Sequence, residues 1–247
     1  MSGHVTTSRP RGSQTRAPKR GPPLRKTVDD IMEQLDAWVA RHGSGDYERD
    51  AKPMDDFMLS VDAGIQQDRK EIKDFISLLL SRGKLGSVLE IGLGFFGSTH
   101  VLWRLLFERV ITIEKSPERL RTFGTNLRTV HRQWVLDDRH SAFVIGLSHD
   151  PATVSKTYHC VSGGLDLLFI DGDHQYASVL MDWLLYSPLV KPGGLVAFHD
   201  AAVTVDGTYG VPIFLERLAR GEIDGQPRTL QKIIHTKHLG IACYEKT

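Results

Sequence analysis

The chain of 247 residues is 40% hydrophobic and 25% charged, with a formal net charge of +1. These values suit one globular domain with a sizeable core and an appendage. No apolar run approaches the roughly 18 residues that a membrane span needs, and we find no secretory signal at the start, so we expect a cytoplasmic protein. The two cysteines, Cys160 and Cys243, lack metal-site spacing and are typical of a reducing compartment.

The charges are distributed unevenly along the chain. Residues 1–26 hold seven basic residues and no acid, which leaves a net charge of −6 on the remainder. The first 26 residues are rich in Pro, Gly, Ser and Arg and are predicted to be a disordered basic tail. The acidic balance of the remainder argues against a nucleic-acid-binding surface there. We expect an N-terminal helical cap region over 27–82 and a main domain over 83–247.

Hydrophobic periodicity predicts an alternation of strands and helices. Helices are predicted from Thr27 to Gly43 and over 69–80, and Ala142–Leu147 is predicted to begin another. The predicted strands of the main domain are 88–91, 110–113, 133–136, 165–170 and 195–198, followed by a hairpin over 230–235 and 239–244. This order predicts an α/β fold: a doubly wound, mostly parallel seven-stranded sheet with helices on both faces and a C-terminal antiparallel hairpin.

A glycine-rich turn follows the first of these strands. In VLEIGLGFFGST, Gly92, Gly94 and Gly97 have the spacing G-x-G-x-x-G, and a helix is predicted from His100 to Phe107. A strand that turns on glycines into a helix is typical of nucleotide-type cofactor sites. The spacing fits a dinucleotide and a methyl-donor cofactor equally well.

Two carboxylates near the turn bear on the choice of cofactor. Glu90 would repel a pyrophosphate but would suit the ammonium and sulfonium groups of S-adenosylmethionine; alternatively, local backbone N–H groups satisfy it. Glu114 follows Gly92 by 22 residues and ends the second strand, where an acid binds the ribose hydroxyls of an adenosine. Both cofactors contain that ribose.

Acidic residues lie at the carboxyl ends of five of the predicted strands. These are Glu90, Glu114, Asp138, Asp171 and Asp200. Because ligands of doubly wound sheets bind beyond the carboxyl ends of the strands, we expect these side chains to line one site.

Four segments, VLEIGLGFFGS, TIEKS, LDLLFIDGDHQY and LVKPGGLVAFHD, resemble in order and spacing the class I S-adenosylmethionine-dependent methyltransferases. More narrowly, they resemble the O-methyltransferases of the cephalosporin-hydroxylase-like and macrolide-sugar type, over about residues 66–244. The resemblance implies a Rossmann-like methyltransferase fold, with 83–247 as the S-adenosylmethionine-binding domain. The cofactor-binding residues that it implies are Glu90, Gly92, Gly94, Gly97, Ser98, Glu114, Asp138 and Asp171.

The resemblance also implies a catalytic centre. Asp171, His199 and Asp200 match the positions of a divalent metal site, although the family has two adjacent acids where this chain has His199-Asp200. Imidazole suits Mn, Fe or Zn better than Mg, so a different metal, a His199 that is no ligand and a metal-free site all stay open. His174 matches a general base, with Asp173 as the competing base. The alternative for His174 is a hydrogen bond to a neighbouring strand-end acid.

The function that the sequence predicts is methyl transfer from S-adenosylmethionine to a hydroxyl of a small molecule, such as a sugar or natural product, assisted by Mg²⁺ or Mn²⁺. The alternatives are an NAD-dependent oxidoreductase that uses the same turn, a scaffold protein with a degenerate pocket, and methylation of RNA through the basic tail. We expect the loops over 46–57 and 201–212 to contact the acceptor, and a homo-oligomer stays open.

Overall fold

A computed structural model describes residues 26–42, 61–62, 67–94, 97–127, 129–203, 210–223, 230–234 and 239–247. The basic tail up to residue 25, the whole of the predicted acceptor loop 46–57 and residues 204–209 of the predicted acceptor loop 201–212 lie outside these ranges. The helices are α1 Val28–His42, α2 Arg69–Ser81, α3 Ser98–Leu106, α4 Pro117–Asn126, α5 Thr129–Val135, α6 Pro151–Cys160, α7 Tyr176–Tyr186 and α8 Val211–Ala219. The strands are β1 Val61–Asp62, β2 Gln67–Asp68, β3 Ser87–Ile91, β4 Arg109–Glu114, β5 Ser141–Ile145, β6 Leu165–Ile170, β7 Val190–Phe198, β8 Leu230–Ile234 and β9 Ile241–Glu245.

The main sheet has seven strands in the order β5-β4-β3-β6-β7-β9-β8. The first five strands are parallel, and β9 pairs antiparallel with both β7 and β8. The predicted fold class and the C-terminal antiparallel pair are therefore confirmed. Because the carboxyl ends of β3, β4, β5, β6 and β7 meet at one edge, the residues that follow these strands become neighbours.

Hydrophobic layers cover both faces of the sheet. On one face, Ile31 of α1, Phe75 of α2 and Trp103 of α3 share a core with Phe169 of β6. On the other face, side chains of α7 and α8 such as Trp183 pack against the alternate residues of the same strands. Helices α1 and α2 of the predicted cap region therefore belong to the same core as the strands that follow residue 82.

Two predicted elements were wrong. Residues 133–136, predicted as the third strand, lie mostly in α5, and the strand is β5, where we predicted a helix from Ala142. Short apolar segments fit a strand and a helix turn equally well. The pairing with β4, which includes a bond from the Val110 N–H to the His140 carbonyl, selects the strand at 141–145.

No helix within the described ranges is long and apolar enough to cross a membrane.

The shared core leads to a stability prediction. Phe75 is fully buried and contacts the rings of Trp103 and Phe169. Replacing Phe75 with Ala should destabilise the protein by about 3–5 kcal/mol, since it removes a large buried side chain. Urea unfolding followed by tryptophan fluorescence and circular dichroism should show one shared transition at a lower midpoint. The exposed Leu184, changed to Ala, is the control, and two separate transitions would contradict a single core.

Candidate active site at the carboxyl edge of the sheet

The glycine turn brings the end of β3 against the end of β6. Gly92 has φ 100°, and a Cβ on it would lie 2.1 Å from the Asp171 carbonyl oxygen. Gly97 has φ 64°, and a Cβ there would lie 2.5 Å from the Phe123 ring. No side chain fits at either position, so the turn requires glycine. Ser98, the first residue of α3, is buried, and its Oγ has no partner among the described residues.

Glu114 lies where the sequence predicts it, at the carboxyl end of β4 beside the glycine turn. Its two carboxylate oxygens accept hydrogen bonds from the backbone N–H groups of Leu93, at 3.1 Å, and Ser116, at 2.7 Å. An ionised carboxylate has lone pairs to spare after two such bonds. The predicted contact with ribose hydroxyls is compatible with this position and stays a prediction.

Glu90 is fully buried on the face of the sheet that α3 covers. Trp103 Nε1 donates to its Oε1 at 3.0 Å, and Thr112 Oγ1 lies 2.7 Å from its Oε2. Burial raises the pKa of Glu90 to about 8, against the opposing effect of its hydrogen bonds to Thr99, Thr112 and Trp103.

A chain of hydrogen bonds shows which group carries the proton between Thr112 and Glu90. The Val135 carbonyl accepts only, so the Ser141 hydroxyl, 2.6 Å away, donates to it. His100 Nε2, 3.2 Å from Ser141 Oγ, must then donate to that oxygen. Burial lowers the pKa of His100 to about 3, so its ring is neutral and its Nδ1 accepts from Thr112 Oγ1 at 2.8 Å. The Thr112 proton is thereby used, and the proton between Thr112 and Glu90 must come from Glu90.

Glu90 is therefore a neutral carboxylic acid at neutral pH. This corrects the sequence argument in two ways: Glu90 carries no charge to attract a sulfonium or to repel a pyrophosphate, and its oxygens bond to side chains rather than to backbone N–H groups. Glu90 does lie close to the glycine turn, but it gives no electrostatic reason to prefer S-adenosylmethionine over a dinucleotide.

The neutral state of Glu90 can be tested with its isostere. Replacing Glu90 with Gln should preserve the fold and the affinity for S-adenosylhomocysteine, because the amide keeps one acceptor and one donor in place. The raised pKa makes the wild type lose stability as pH rises from about 5 to about 8, by up to about 1.4 kcal/mol per pH unit, while the Gln variant does not. Urea unfolding at several pH values measures this difference. A Gln variant less stable than the wild type at pH 7 would show instead that the charge is needed.

Asp138 does not lie at the carboxyl edge. Because the third strand begins at Ser141, Asp138 precedes that strand and is exposed at the opposite, amino edge, where its carbonyl accepts from Arg109. We therefore drop Asp138 from the cofactor-binding set. The carboxyl end of β5 is instead followed by Gly146, whose N–H donates to the Glu114 carbonyl.

A cluster of four side chains lies beside the glycine turn, at the ends of β6 and β7. His199 Nδ1 lies 3.1 Å from Asp171 Oδ1 and 3.2 Å from Asp200 Oδ2. His174 Nε2 lies 2.8 Å from Asp200 Oδ2. Asp200 has φ 56°, a left-handed conformation that few non-glycine residues adopt. We call Asp171, His174, His199 and Asp200 the acidic-histidine cluster.

The charges within the cluster stabilise one another. Burial disfavours the protonated form of His199, but the charges of Asp171 and Asp200 outweigh it and raise the pKa of His199 well above its usual range. Burial likewise opposes protonation of His174, and its hydrogen bond to Asp200 raises the pKa of His174. Although burial would raise it, the pKa of Asp200 is held well below its usual range by the two histidines.

The structure separates the predicted metal ligands into two groups. Ligand atoms of Asp171, His174 and Asp200 lie within 4.8 Å of one another, which leaves room for a shared cation. His199 Nδ1 is occupied by hydrogen bonds to both carboxylates, and its Nε2 is buried without a partner among the described residues. Among the described residues, His174, which we expected as a base, and not His199, thus lies with Asp171 and Asp200 in a group that could hold a cation.

Asp173 makes its hydrogen bonds at the start of α7 rather than within the cluster. Its carboxylate accepts from Ser178 Oγ at 2.7 Å and from the Gln175 N–H at 3.4 Å, at the start of α7. Burial favours the neutral acid, but the hydrogen bond from Ser178 outweighs it and lowers the pKa of Asp173. An ionised carboxylate engaged in this way is a poor proton acceptor, so Asp173 stabilises the helix start instead.

Gln67 of β2 donates from Nε2 to Asp171 Oδ2 at 3.2 Å, a contact that the sequence did not predict. It lies next to a stretch of ambiguous periodicity, and 104 residues separate it from its partner. No local pattern indicates such a contact.

Comparison with known proteins agrees with this geometry. Residues 89–201 match the family model described as "Methyltransferase domain". A mimivirus protein, uncharacterized protein R132 of Acanthamoeba polyphaga mimivirus, is 54% identical over 88 residues, which is 36% of this chain and 33% of that protein. The chain thus aligns with about a third of that relative's length.

Solved structures share the fold. The O-methyltransferase TomG from Streptomyces achromogenes, in complex with S-adenosylmethionine, has a TM-score of 0.55 at 19% identity, covering 91% of this chain and 92% of TomG. The Bacillus cereus O-methyltransferase, in complex with S-adenosylhomocysteine, has a TM-score of 0.51 at 19% identity, with 91% and 93% covered. MycE of the mycinamycin pathway, in complex with Mg, S-adenosylhomocysteine and mycinamycin VI, has a TM-score of 0.50 at 16% identity, with 90% and 55% covered.

The matched segment contains the glycine turn, Glu114 and the acidic-histidine cluster, all at the carboxyl edge of a sheet with this strand order. Residues 89–201 are therefore similar to a methyltransferase domain, and the chain has the fold of S-adenosylmethionine-dependent methyltransferases.

Proposed function

We propose that the protein is an S-adenosylmethionine-dependent O-methyltransferase that methylates a hydroxyl of a small molecule. The observation that carries this proposal is the position of the acidic-histidine cluster directly beside the glycine turn. The contact of Gly92 with the Asp171 carbonyl makes the two sites adjacent. A methyl donor over the turn and an acceptor at the cluster would thus lie side by side, as in-line transfer requires.

The chemistry demands proton removal more than leaving-group activation. The sulfonium is already activated, whereas an aliphatic hydroxyl is a weak acid that must lose its proton. The cluster supplies two carboxylates and two imidazoles, of which Asp200 and His199 are buried. Such groups can orient an acceptor hydroxyl and stabilise its deprotonation.

We further propose that Asp171, His174 and Asp200 hold a divalent cation. The donor atoms fit one ion: two carboxylates from different strands and one imidazole, all within 4.8 Å of one another. When bound there, the cation would lower the pKa of an acceptor hydroxyl. His199 donates to both carboxylates from behind and holds them in place, as hydrogen-bond partners of metal ligands commonly do. The Mg that accompanies MycE supports a cation on this fold.

The donor set favours a transition ion over Mg²⁺. A nitrogen ligand such as His174 suits Mn²⁺ better than Mg²⁺, which prefers oxygen ligands alone. If His174 binds the ion, it is not the general base, because one Nε2 lone pair cannot serve both purposes.

The first experiment is isothermal titration of the purified protein with S-adenosylhomocysteine and, separately, with NAD. We expect saturable binding of S-adenosylhomocysteine and none of NAD. Binding of NAD alone would favour the oxidoreductase alternative. Once binding is established, hydroxylated small molecules are screened for methyl transfer with labelled S-adenosylmethionine.

The second experiment measures Mn²⁺ binding by electron paramagnetic resonance after treatment with EDTA. We expect one bound Mn²⁺ and at least about tenfold weaker binding when Asp171 or Asp200 is changed to Asn. Binding of S-adenosylhomocysteine should change little in the Asp200 variant, because Asp200 lies on the far side of Asp171 from the turn.

The role of His174 is tested separately. Changing His174 to Gln should weaken Mn²⁺ binding at least about tenfold, since it removes one of three ligands. The exposed His140, changed to Gln, is the control. Unchanged Mn²⁺ affinity together with lost methyl transfer would instead assign His174 as a metal-independent base paired with Asp200.

A further inference from the structure

Gln67 lies on β2, just before α2 and outside the matched segment 89–201. Its side chain is only 1% exposed, although it comes from a short two-stranded sheet at the margin of the fold. Burial of a polar amide is unfavourable unless both of its ends find partners. One end does, because Nε2 donates to Asp171 Oδ2 at 3.2 Å.

The carbonyl end of the Gln67 amide has no such partner. The Gln67 Oε1 is buried and has no hydrogen-bond partner among the described residues. Rotating the amide would exchange the two atoms, but it would place Oε1 against the Asp171 carboxylate and remove the one hydrogen bond that the amide makes to a described residue. The Asp171 contact therefore fixes the orientation, and the acceptor oxygen without a partner is bonded to the same carbon as the Nε2 that contacts Asp171.

The two oxygens of Asp171 have different partners. Oδ1 lies near His199 and Oδ2 near Gln67, so the carboxylate is held from both sides. A group that needs a donor or a cation thus lies beside the carboxylate that we place in the cation site. An amide oxygen is a ligand that divalent cations accept readily.

We propose that Gln67 is the fourth protein group of the cation site: its amide N–H holds Asp171, and its amide oxygen binds the ion. The inference rests on the proposed function, because it uses the ligand set Asp171, His174 and Asp200. It adds to that set a neutral oxygen from the N-terminal segment, so the site is built from both sides of the domain boundary predicted at residue 82.

Binding of Mn²⁺ alone tests the proposal, with no acceptor needed. Changing Gln67 to Leu removes both amide atoms at similar size and should weaken Mn²⁺ binding at least about tenfold. Changing Gln67 to Glu keeps an oxygen at the same place and adds a charge, so it should bind Mn²⁺ more tightly than the wild type. The exposed Gln133, changed to Leu and to Glu, provides matched controls.

The Glu variant separates the two roles of the amide. If Gln67 only held Asp171 through its N–H, a carboxylate there would repel Asp171 and weaken Mn²⁺ binding, which would overturn the proposal. Equal affinity of the Leu variant and the wild type would also overturn it. Circular dichroism checks that each variant is folded, and the shift of the melting temperature on Mn²⁺ addition gives the same ranking independently.

The outcome for the wild type distinguishes this inference from the function on which it rests. A wild type that binds no Mn²⁺ would reject the ligand set, and the inference with it. A wild type that binds Mn²⁺ through Asp171 and Asp200 but ignores Gln67 would reject this inference alone.

Discussion

The backbone contact between Gly92 and Asp171 is the constraint on which the site depends. A Cβ at residue 92 would lie 2.1 Å from the Asp171 carbonyl oxygen, so only glycine lets the ends of β3 and β6 approach so closely. The approach joins two chemically different regions. The glycine turn is the predicted cofactor-binding segment, and the side chain of Asp171 belongs to the acidic-histidine cluster.

The acid buried on the face covered by α3 differs in protonation from the acids at the carboxyl edge of the sheet. On the face covered by α3, Glu90 keeps its proton, and a chain of hydroxyls and one neutral imidazole satisfies it without any charge. At the carboxyl edge, His199 lies between Asp171 and Asp200 and His174 lies beside Asp200, and the two histidines hold the pKa of Asp200 well below its usual range. The difference follows from the partners: hydroxyl and indole groups cannot offset the desolvation of a carboxylate as a nearby positive charge does.

His199 holds the two carboxylates of the cluster close to each other. Two ionised carboxylates repel one another, and the Nδ1–H group between them offsets that repulsion. The left-handed backbone of Asp200 turns its carboxylate toward His174 as well. Strain of this kind persists where surrounding contacts enforce it, and it is common at functional sites. Because His199 occupies only one side of each carboxylate, the remaining lone pairs of both carboxylates are left for a ligand.

Local patterns in the sequence predicted the fold class, the glycine turn and four of the five strand ends that carry acids. Those features are local: apolar runs with glycine turns, and polar residues directly after them. Tertiary structure decided the rest. Pairing with β4 made 141–145 a strand, and this moved Asp138 to the opposite edge. The protonation of Glu90 depends on a chain that reaches Val135 through residues of three elements. The contact of Gln67 with Asp171 joins residues 104 positions apart, and no local pattern encodes a partner at that distance, because packing of the whole core sets it.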